Sequence, residues 1–207
     1  MKLYHYSLAP NPRRVRIVLA EKQVEIPMVE VDIPAGEHRA PDMLARNPAG
    51  TLPFLELDDG TVIAESVAIC RYLELLYPEP SLFGGDPLTQ ARIEMWHRRV
   101  EQDVLWPVQI AVRNTHRVFA GRGHGEGGAQ SAEFSAHGRR AAQSAADVLD
   151  RELGDRRFVA GDAISVADIA LLVAIDFARL AELRLREGRP QLDRWYEEMA
   201  SRPSASA

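Results

Sequence analysis

The sequence changes character at residues 78–87, and this change constrains the fold more than any other feature. The stretch contains three prolines and two glycines, a composition typical of a connection between folded units. Before it, stretches that alternate apolar and polar residues are mixed with helical patterns, whereas every patterned segment after it has the helical period. We therefore predict an α/β domain at residues 1–77, a linker at 78–87 and an all-α domain at 88–207.

The first half of the chain predicts the order β-α-β-α-β-β-α. Its first helix is well marked, with Asn11 as the predicted N-cap and Pro12 as the first helical residue. A hairpin is predicted to turn at Asp58-Asp59-Gly60, and Ser66 is predicted to cap the last helix of this half. The predicted strands are 2–6, 29–33, 52–57 and 61–63, and the predicted helices are 13–22, 41–46 and 66–77.

The second half of the chain predicts helices alone. Pro107 is expected to bend or interrupt the first of them, because a proline inside a helix removes a hydrogen bond. Ser165 and Asp168 are three residues apart, which predicts a capping box. The predicted helices are 88–119, 131–153, 165–183 and 189–200, with a glycine-rich loop at 121–128.

Composition limits the partners and the compartment. The net charge of −5 and the pI near 5.7 argue against nucleic acid or an anionic membrane surface as a partner. Cys70 is the single cysteine, so an intramolecular disulfide and any zinc site built on paired cysteines are excluded. No stretch is predicted to be a signal peptide or a membrane span, and we expect a cytoplasmic protein without a metal site.

Two dipeptides predict a site for an extended, peptide-like ligand. Pro53 begins a predicted strand, and a cis Leu52–Pro53 bond would turn the N–H and C=O of Leu52 away from the sheet. The Ser66 hydroxyl and the N–H groups of its helix could hold a carboxylate, while Glu65 could bind an ammonium group. The alternatives are an ordinary trans proline, since only about 5–6% of X-Pro bonds are cis, and a serine that only caps its helix.

Three segments with matching spacing resemble the glutathione transferases of bacteria. They are Met1–Tyr4 with the helix Arg14–Lys22, the stretch Asn47–Leu55 and the stretch Asp59–Ile69. The resemblance continues through the second half, so it covers nearly the whole chain. It implies a thioredoxin-like N-terminal domain followed by an all-helical glutathione transferase domain, and a homodimer that works in detoxification.

The resemblance also implies roles for individual residues. Pro53 is expected to be cis, and the backbone of Leu52 is expected to pair with the cysteinyl part of glutathione. Glu65 and Ser66 are expected to hold its γ-glutamyl end. His38 matches a position that meets the glycyl carboxylate in several classes, with a solvated loop histidine as the alternative.

The residue that activates the thiol is harder to assign. The nucleophile is the thiolate, so a transferase of this family needs a group that stabilises the anion. Many bacterial relatives use a serine in a Leu-Ser-Pro turn, but Ala9 occupies that position here. Asn11 is the first catalytic candidate, although it could be a plain N-cap, and Ser7 is the second. Arg13, Arg14 and Arg16 could favour an anionic ligand nearby, but we expect at least Arg14 and Arg16 to be solvated charges on the helix surface.

The predicted activity is attack of the glutathione thiolate on a small hydrophobic electrophile, with glutathione as the co-substrate. The candidates for the second-substrate pocket are Val104, Trp106, Ile110 and His116. A tryptophan with an aliphatic stripe is also typical of a helical core. Because Ala9 offers no donor, two alternatives stay open: a glutathione-dependent disulfide reductase, and a non-catalytic interaction protein of the same fold.

Overall fold

The computed structural model describes residues 1–207, and the chain folds into two compact units. Unit 1 comprises Met1–Leu82 together with Pro203–Ala207, and unit 2 comprises Phe83–Arg202. The chain thus passes from one unit to the other inside the predicted linker. The last five residues, which we had placed with the helical part, belong to unit 1.

Unit 1 is a small mixed α/β unit, and the predicted order of its elements is confirmed. Two short 3-10 helices, Glu37–Arg39 and Pro203–Ser206, accompany the main elements. The main elements are β1 (Lys2–His5), α1 (Pro10–Glu21), β2 (Met28–Glu30), α2 (Pro41–Arg46), β3 (Phe54–Glu56), β4 (Val62–Ala64) and α3 (Ser66–Leu76).

The four strands form one sheet in the order β2-β1-β3-β4, as expected for a thioredoxin-like unit. β1 is parallel to β2 and antiparallel to β3, while β3 and β4 form the predicted hairpin. Alternate side chains point to opposite faces of the sheet. Tyr4 and Phe54 therefore stack on one face, with 4.3 Å between ring centroids, and Val31 completes that cluster.

Two helices of unit 1 have N-cap residues other than those predicted. Ala9, not Asn11, occupies the N-cap position of α1, and Pro10 is its first residue. Pro10 and Pro12 both fit a first turn, whose N–H groups need no helical partner, and the helix starts at the earlier one. Likewise Glu65 occupies the N-cap position of α3, so Ser66 is the first helical residue.

The tail Pro203–Ala207 contacts α1. The Arg13 guanidinium donates to the C=O of Ala205 at 2.7 Å, and the Ser204 hydroxyl donates to the Glu21 carboxylate. These two contacts lie at opposite ends of α1. The tail therefore covers one side of this helix over most of its length.

Unit 2 is all-helical. Its elements are α4 (Pro87–Arg99), a π-helical segment (Val100–Leu105), α5 (Trp106–Arg113), α6 (Ala132–Leu153), α7 (Val166–Ala178) and α8 (Pro190–Ala200). The predicted interruption near Pro107 is confirmed: the long first helix divides, and Pro107 lies in the first turn of α5. α7 ends before the predicted Leu183, because Arg179–Ala181 form a 3-10 turn. None of the helices combines the length and the apolar character needed to cross a membrane.

The centre of unit 2 is α7, which is buried at every position except Asp176. The capping box of Ser165 and Asp168 at its start is confirmed. The buried Asp168 carboxylate also accepts the Val159 N–H at 2.7 Å and the indole N–H of Trp195 at 2.9 Å. One carboxylate thus joins the start of α7 to the preceding loop and to α8.

Candidate functional site

The sheet of unit 1 brings the two predicted ligand-binding dipeptides together. Phe54 of β3 pairs with Ala64 of β4, so the preceding Pro53 lies beside the following Glu65. Phe54 also pairs with Tyr4 of β1, so the turn that follows β1 lies at the same end of the sheet. One end of the sheet therefore brings together the residues predicted to bind a peptide-like ligand and those predicted to activate a thiol.

The Leu52–Pro53 bond is cis, which confirms what the resemblance implied. The β1–β3 and β3–β4 ladders end at Phe54, so the N–H and C=O of Leu52 lie outside them. The preceding loop is fixed by Asn47, whose buried side chain donates to the C=O of Thr51 at 2.8 Å and accepts the Ala49 N–H. The N–H and C=O of Leu52 are thus outside the β-sheet hydrogen bonds and are held in place by a fixed loop.

Glu65 and Ser66 are arranged for an amino-acid-like group. Glu65 has a φ of +69°, a left-handed conformation that is costly for a non-glycine residue and is typical of functional sites. Its side chain is exposed, whereas Ser66 is buried. The two residues meet at the N-terminus of α3, where backbone N–H groups favour a carboxylate.

Arg14 reinforces this N-terminus, and our prediction that it is solvated is wrong. Its side chain is only 1% exposed, and its guanidinium donates to the Ser66 hydroxyl oxygen at 3.2 Å. Ser66 can therefore donate its own hydrogen to a ligand. The signal in the sequence was the helical face that Arg14 shares with Ile17 and Val18, both of which are buried.

His38 is buried, so the alternative of a solvated loop histidine is wrong. It lies in the 3-10 helix Glu37–Arg39. A side chain added at Gly50 would lie 3.7 Å from the backbone oxygen of His38. His38 is therefore close in the fold to the cis-proline loop.

The turn between β1 and α1 is held by charged side chains. Glu30 of β2 accepts the Ser7 N–H at 2.8 Å, and Arg16 of α1 donates to the Ser7 C=O at 2.8 Å. Arg16 is therefore partly buried and hydrogen-bonded, and the prediction of a solvated charge holds only in part. Its burial lowers the pKa of Arg16, with the charge of Arg13 acting in the same direction.

The two thiol-activating candidates lie on either side of Ala9. The Ser7 side chain is exposed, and Asn11 is partly buried in the first turn of α1. Because Asn11 is inside the helix, the simple N-cap interpretation of this residue is wrong. Both candidates lie close to the N–H groups that open α1.

Three of the four second-substrate candidates line one cavity inside unit 2. Val104, Trp106 and Ile110 face a cavity of about 490 Å³ between the π-helical segment, α5 and α6. Trp106 is 56% exposed, so it is not a core residue. His116 is not part of this cavity; it precedes the 3-10 helix Arg117–Phe119 and accepts the Val118 N–H at 3.4 Å.

The groups at this end of the sheet in unit 1 suit one class of ligand. A helix N-terminus with Ser66 and Arg14 favours a carboxylate, the exposed Glu65 favours an ammonium group, and the Leu52 peptide unit favours an extended backbone. These three preferences describe a short peptide with a free α-amino-acid end. The chain contains no group of three or more His, Cys, Asp or Glu side chains placed to hold a metal ion.

Comparisons with known proteins agree across both units. The family models "Glutathione S-transferase, N-terminal domain" and "Glutathione S-transferase, C-terminal domain" match residues 3–81 and 128–198. "Glutathione S-transferase 2" of Saccharomyces cerevisiae is 38% identical over 206 residues, which cover 99% of this chain and 87% of that protein.

Solved structures give the same result. A glutathione S-transferase domain-containing protein of Marinobacter aquaeolei has a TM-score of 0.90 and 37% identity, with 99% of each chain covered. Gtt2 of Saccharomyces cerevisiae has a TM-score of 0.88 and 37% identity, with 100% of this chain and 99% of that chain covered.

Proposed function

The chain belongs to the glutathione S-transferase family, and on that premise we propose that it transfers the glutathione thiolate to small hydrophobic electrophiles. The observation that carries the proposal is the convergence of Leu52, Glu65 and Ser66 at one end of the sheet. Family membership favours this activity over the disulfide reductase and over the non-catalytic interaction protein.

Glutathione binds as an extended peptide in this proposal. Ser66, supported by Arg14, and the N–H groups of α3 take the γ-glutamyl carboxylate, and Glu65 takes the γ-glutamyl ammonium group. The N–H and C=O of Leu52 pair with the cysteinyl residue. His38 takes the glycyl carboxylate.

The thiol is activated at the start of α1. Lowering a thiol pKa from about 8.5 to about 6.5 requires roughly 2.7 kcal/mol of preference for the anion. The positive end of α1 contributes about 0.3–1 kcal/mol, and a hydrogen bond to a charged group contributes about 1.5–3 kcal/mol. Ala9 cannot supply that hydrogen bond, so we assign it to the Asn11 amide first and to the Ser7 hydroxyl second.

The reaction is nucleophilic substitution or addition. In substitution on an aryl halide, the carbon–sulfur bond forms and the carbon–halogen bond breaks, and the halide leaves with its electron pair. The protein contributes by positioning the thiolate and stabilising its charge. The second-substrate residues are Val104, Trp106, Ile110 and His116, and the first three line one cavity of unit 2.

Calorimetric titration of glutathione into the protein tests the binding site. We expect saturable binding that weakens about 10- to 100-fold in Ser66→Ala, because a hydrogen bond to a charged group is worth about 1.5–3 kcal/mol. Ser201→Ala, which removes an exposed hydroxyl from unit 2, is the control. Equal affinity in Ser66→Ala and in the control would contradict the assigned binding mode.

Turnover tests the roles of the candidate residues. With glutathione and 1-chloro-2,4-dinitrobenzene, Asn11→Ala should lower kcat more than Ser7→Ala does. Trp106→Ala should raise the KM for the halide and leave the KM for glutathione unchanged. No turnover by the wild-type protein with any electrophile would refute the proposed function.

The setting of this activity also belongs to the proposal. We propose a homodimer that works in the cytoplasm and detoxifies electrophiles, by analogy with the family. The single, buried cysteine is compatible with a reducing compartment. Analytical ultracentrifugation tests the dimer, and a monomer at micromolar concentration would contradict it.

A further inference from the structure

Four residues at the end of the sheet form a closed ring of contacts around the β1–α1 turn. Glu30 accepts the Ser7 N–H through one carboxylate oxygen, and its other oxygen lies 3.3 Å from Nε2 of His5. Arg16 donates to the Ser7 C=O through one terminal nitrogen, and its other nitrogen lies 3.2 Å from Nδ1 of His5. Each of the side-chain atoms just described takes part in one contact, so each side chain makes two. The ring also includes both the N–H and the C=O of Ser7.

The ring selects one state of the His5 imidazole. A guanidinium can only donate, so Nδ1 of His5 must accept from Arg16. In the neutral ring the hydrogen is then on Nε2, where it faces the Glu30 carboxylate. Protonation at Nδ1 would place two donors and two positive charges against each other.

His5 lies where this choice matters. It is 8% exposed, on the strand β1, and Glu30 on β2 and Arg16 on α1 are the charged groups that act on it; Arg13 acts in turn on Arg16. On the other side of β1, the β1–β3 register places Pro53 opposite His5, and Pro53 carries no charge. Burial lowers the pKa of His5; Glu30 raises it and Arg16 lowers it further.

We propose that His5, Arg16 and Glu30 are positioning residues of the transferase reaction, because they fix the backbone of Ser7, one thiol-activating candidate, and with it the turn that leads into the helix of the other, Asn11. This inference rests on the proposed function. Ser7 is itself a candidate, and Asn11 follows four residues later in the first turn of α1. A turn that shifts by about 1 Å would move these groups relative to the sulfur, and misplacement of that size can cost about 100-fold in rate.

The proposal gives the enzyme a second ionisation on the acid side of its pH profile. The ring is closed when His5 is neutral and opens when His5 binds a proton. Activity then requires two groups to lose protons, the bound thiol and His5. The binding of glutathione does not depend on the ring, because Leu52, Glu65 and Ser66 lie outside it.

The ring can first be tested without substrate. Amide hydrogen exchange should show the Ser7 N–H protected in the wild-type protein at pH 7.5 and less protected at pH 5. Arg16→Lys should lose protection at both pH values, since one ammonium nitrogen cannot occupy the two positions from which the guanidinium nitrogens reach His5 and Ser7. Arg92→Lys, at an exposed position of α4, is the matched control and should leave it unchanged. Equal protection of Ser7 in all three proteins would overturn the ring.

Kinetics then test the positioning role. In Arg16→Lys we expect kcat to fall at least about tenfold, equivalent to about 1.4 kcal/mol, with the KM for glutathione within about twofold. His5→Gln keeps a donor and an acceptor but does not titrate, so its acid limb should lose one ionisation. The slope of log kcat against pH should change from two in the wild type to one in this variant, while the absorbance of the bound thiolate at 240 nm titrates as before.

The outcomes separate the two proposals. Loss of Ser7 protection with unchanged kcat and an unchanged pH slope would overturn the positioning role and leave the proposed function intact. Absence of glutathione turnover in the wild-type protein would refute the proposed function and the positioning role together. If Arg16→Lys does not fold, Glu30→Gln with Glu25→Gln as its exposed control repeats the comparison from the other side of the ring.

Discussion

Replacing Asp168 by asparagine tests the centre of unit 2 most directly. Each oxygen of the buried carboxylate accepts two hydrogen bonds. One oxygen accepts the Val159 N–H and the Trp195 indole N–H, and the other accepts the N–H and the hydroxyl of Ser165, at 2.9 and 2.8 Å. An amide has a single acceptor oxygen, so one of these pairs must face an NH₂ group.

The cost follows from which pair gives way. The N–H groups of Val159 and Trp195 cannot act as acceptors, whereas the Ser165 hydroxyl can rotate and accept. The amide nitrogen therefore faces Ser165, and one buried N–H loses its partner at a cost of about 1–3 kcal/mol. The remaining bonds lose their charge assistance, which adds to the cost. Relief from burying a charge offsets part of it, since burial is the largest factor that raises the pKa of Asp168.

We expect Asp168→Asn to lower the free energy of unfolding by about 3 kcal/mol. Urea unfolding followed by circular dichroism measures it, and at about 2 kcal/mol per molar the midpoint should fall by about 1.5 M. Asp162→Asn, at an exposed position in the same loop, is the control and should stay within about 0.5 kcal/mol of the wild type. An Asp168→Asn midpoint equal to that of the control would refute this account of the hydrogen bonds to Asp168.

Two further predictions concern unit 2. Gly138→Ala should lower the melting temperature, since a Cβ there would lie 2.5 Å from the carbonyl oxygen of Pro107, and overpacking costs about 1–3 kcal/mol. The Arg140→Ala and Arg140→Gly pair measures the intrinsic preference of α6 for alanine, and a stabilised Gly138→Ala would contradict the close contact. The hydroxyl of Tyr196, buried and hydrogen-bonded to Asp176 at 2.6 Å, should titrate with a pKa of about 12 in ultraviolet difference spectra. Because this folded-state pKa is raised, the stability contributed by Tyr196 is present below pH 10 and is lost as the pH rises to about 12. A Tyr196→Phe protein should lack that loss of stability. A titration midpoint near pH 10 would contradict the prediction.

Features encoded within a few adjacent residues could be predicted from the sequence. The hairpin at Asp58-Asp59-Gly60 and the capping box of Ser165 and Asp168 each depend on local geometry, and both are confirmed. The interruption at Pro107 belongs to the same class, because proline acts on its own turn. What local geometry could not specify was the form of the interruption, a π-helical segment before the proline.

Features that depend on distant segments could not be predicted in the same way. The start of α1 was placed too late because Pro10 and Pro12 satisfy the same local rule. Arg14 and Arg16 were predicted to be solvated because charges on a helix usually are, whereas in the fold Arg14 contacts Ser66 of α3 and Arg16 contacts His5 of β1. The convergence of Leu52 with Glu65 follows from strand register, which the resemblance implied and the residues alone did not specify.

The contacts of the tail with α1 make unit 1 discontinuous along the chain. During synthesis α1 leaves the ribosome early, but residues 203–207 follow only after all of unit 2 has been translated. Until then Arg13 and Glu21 lack their contacts with Ala205 and Ser204, and one side of the helix that begins the candidate site is uncovered. Unit 1 therefore acquires its last native contacts only after unit 2 has been translated, although most of unit 1 is made first.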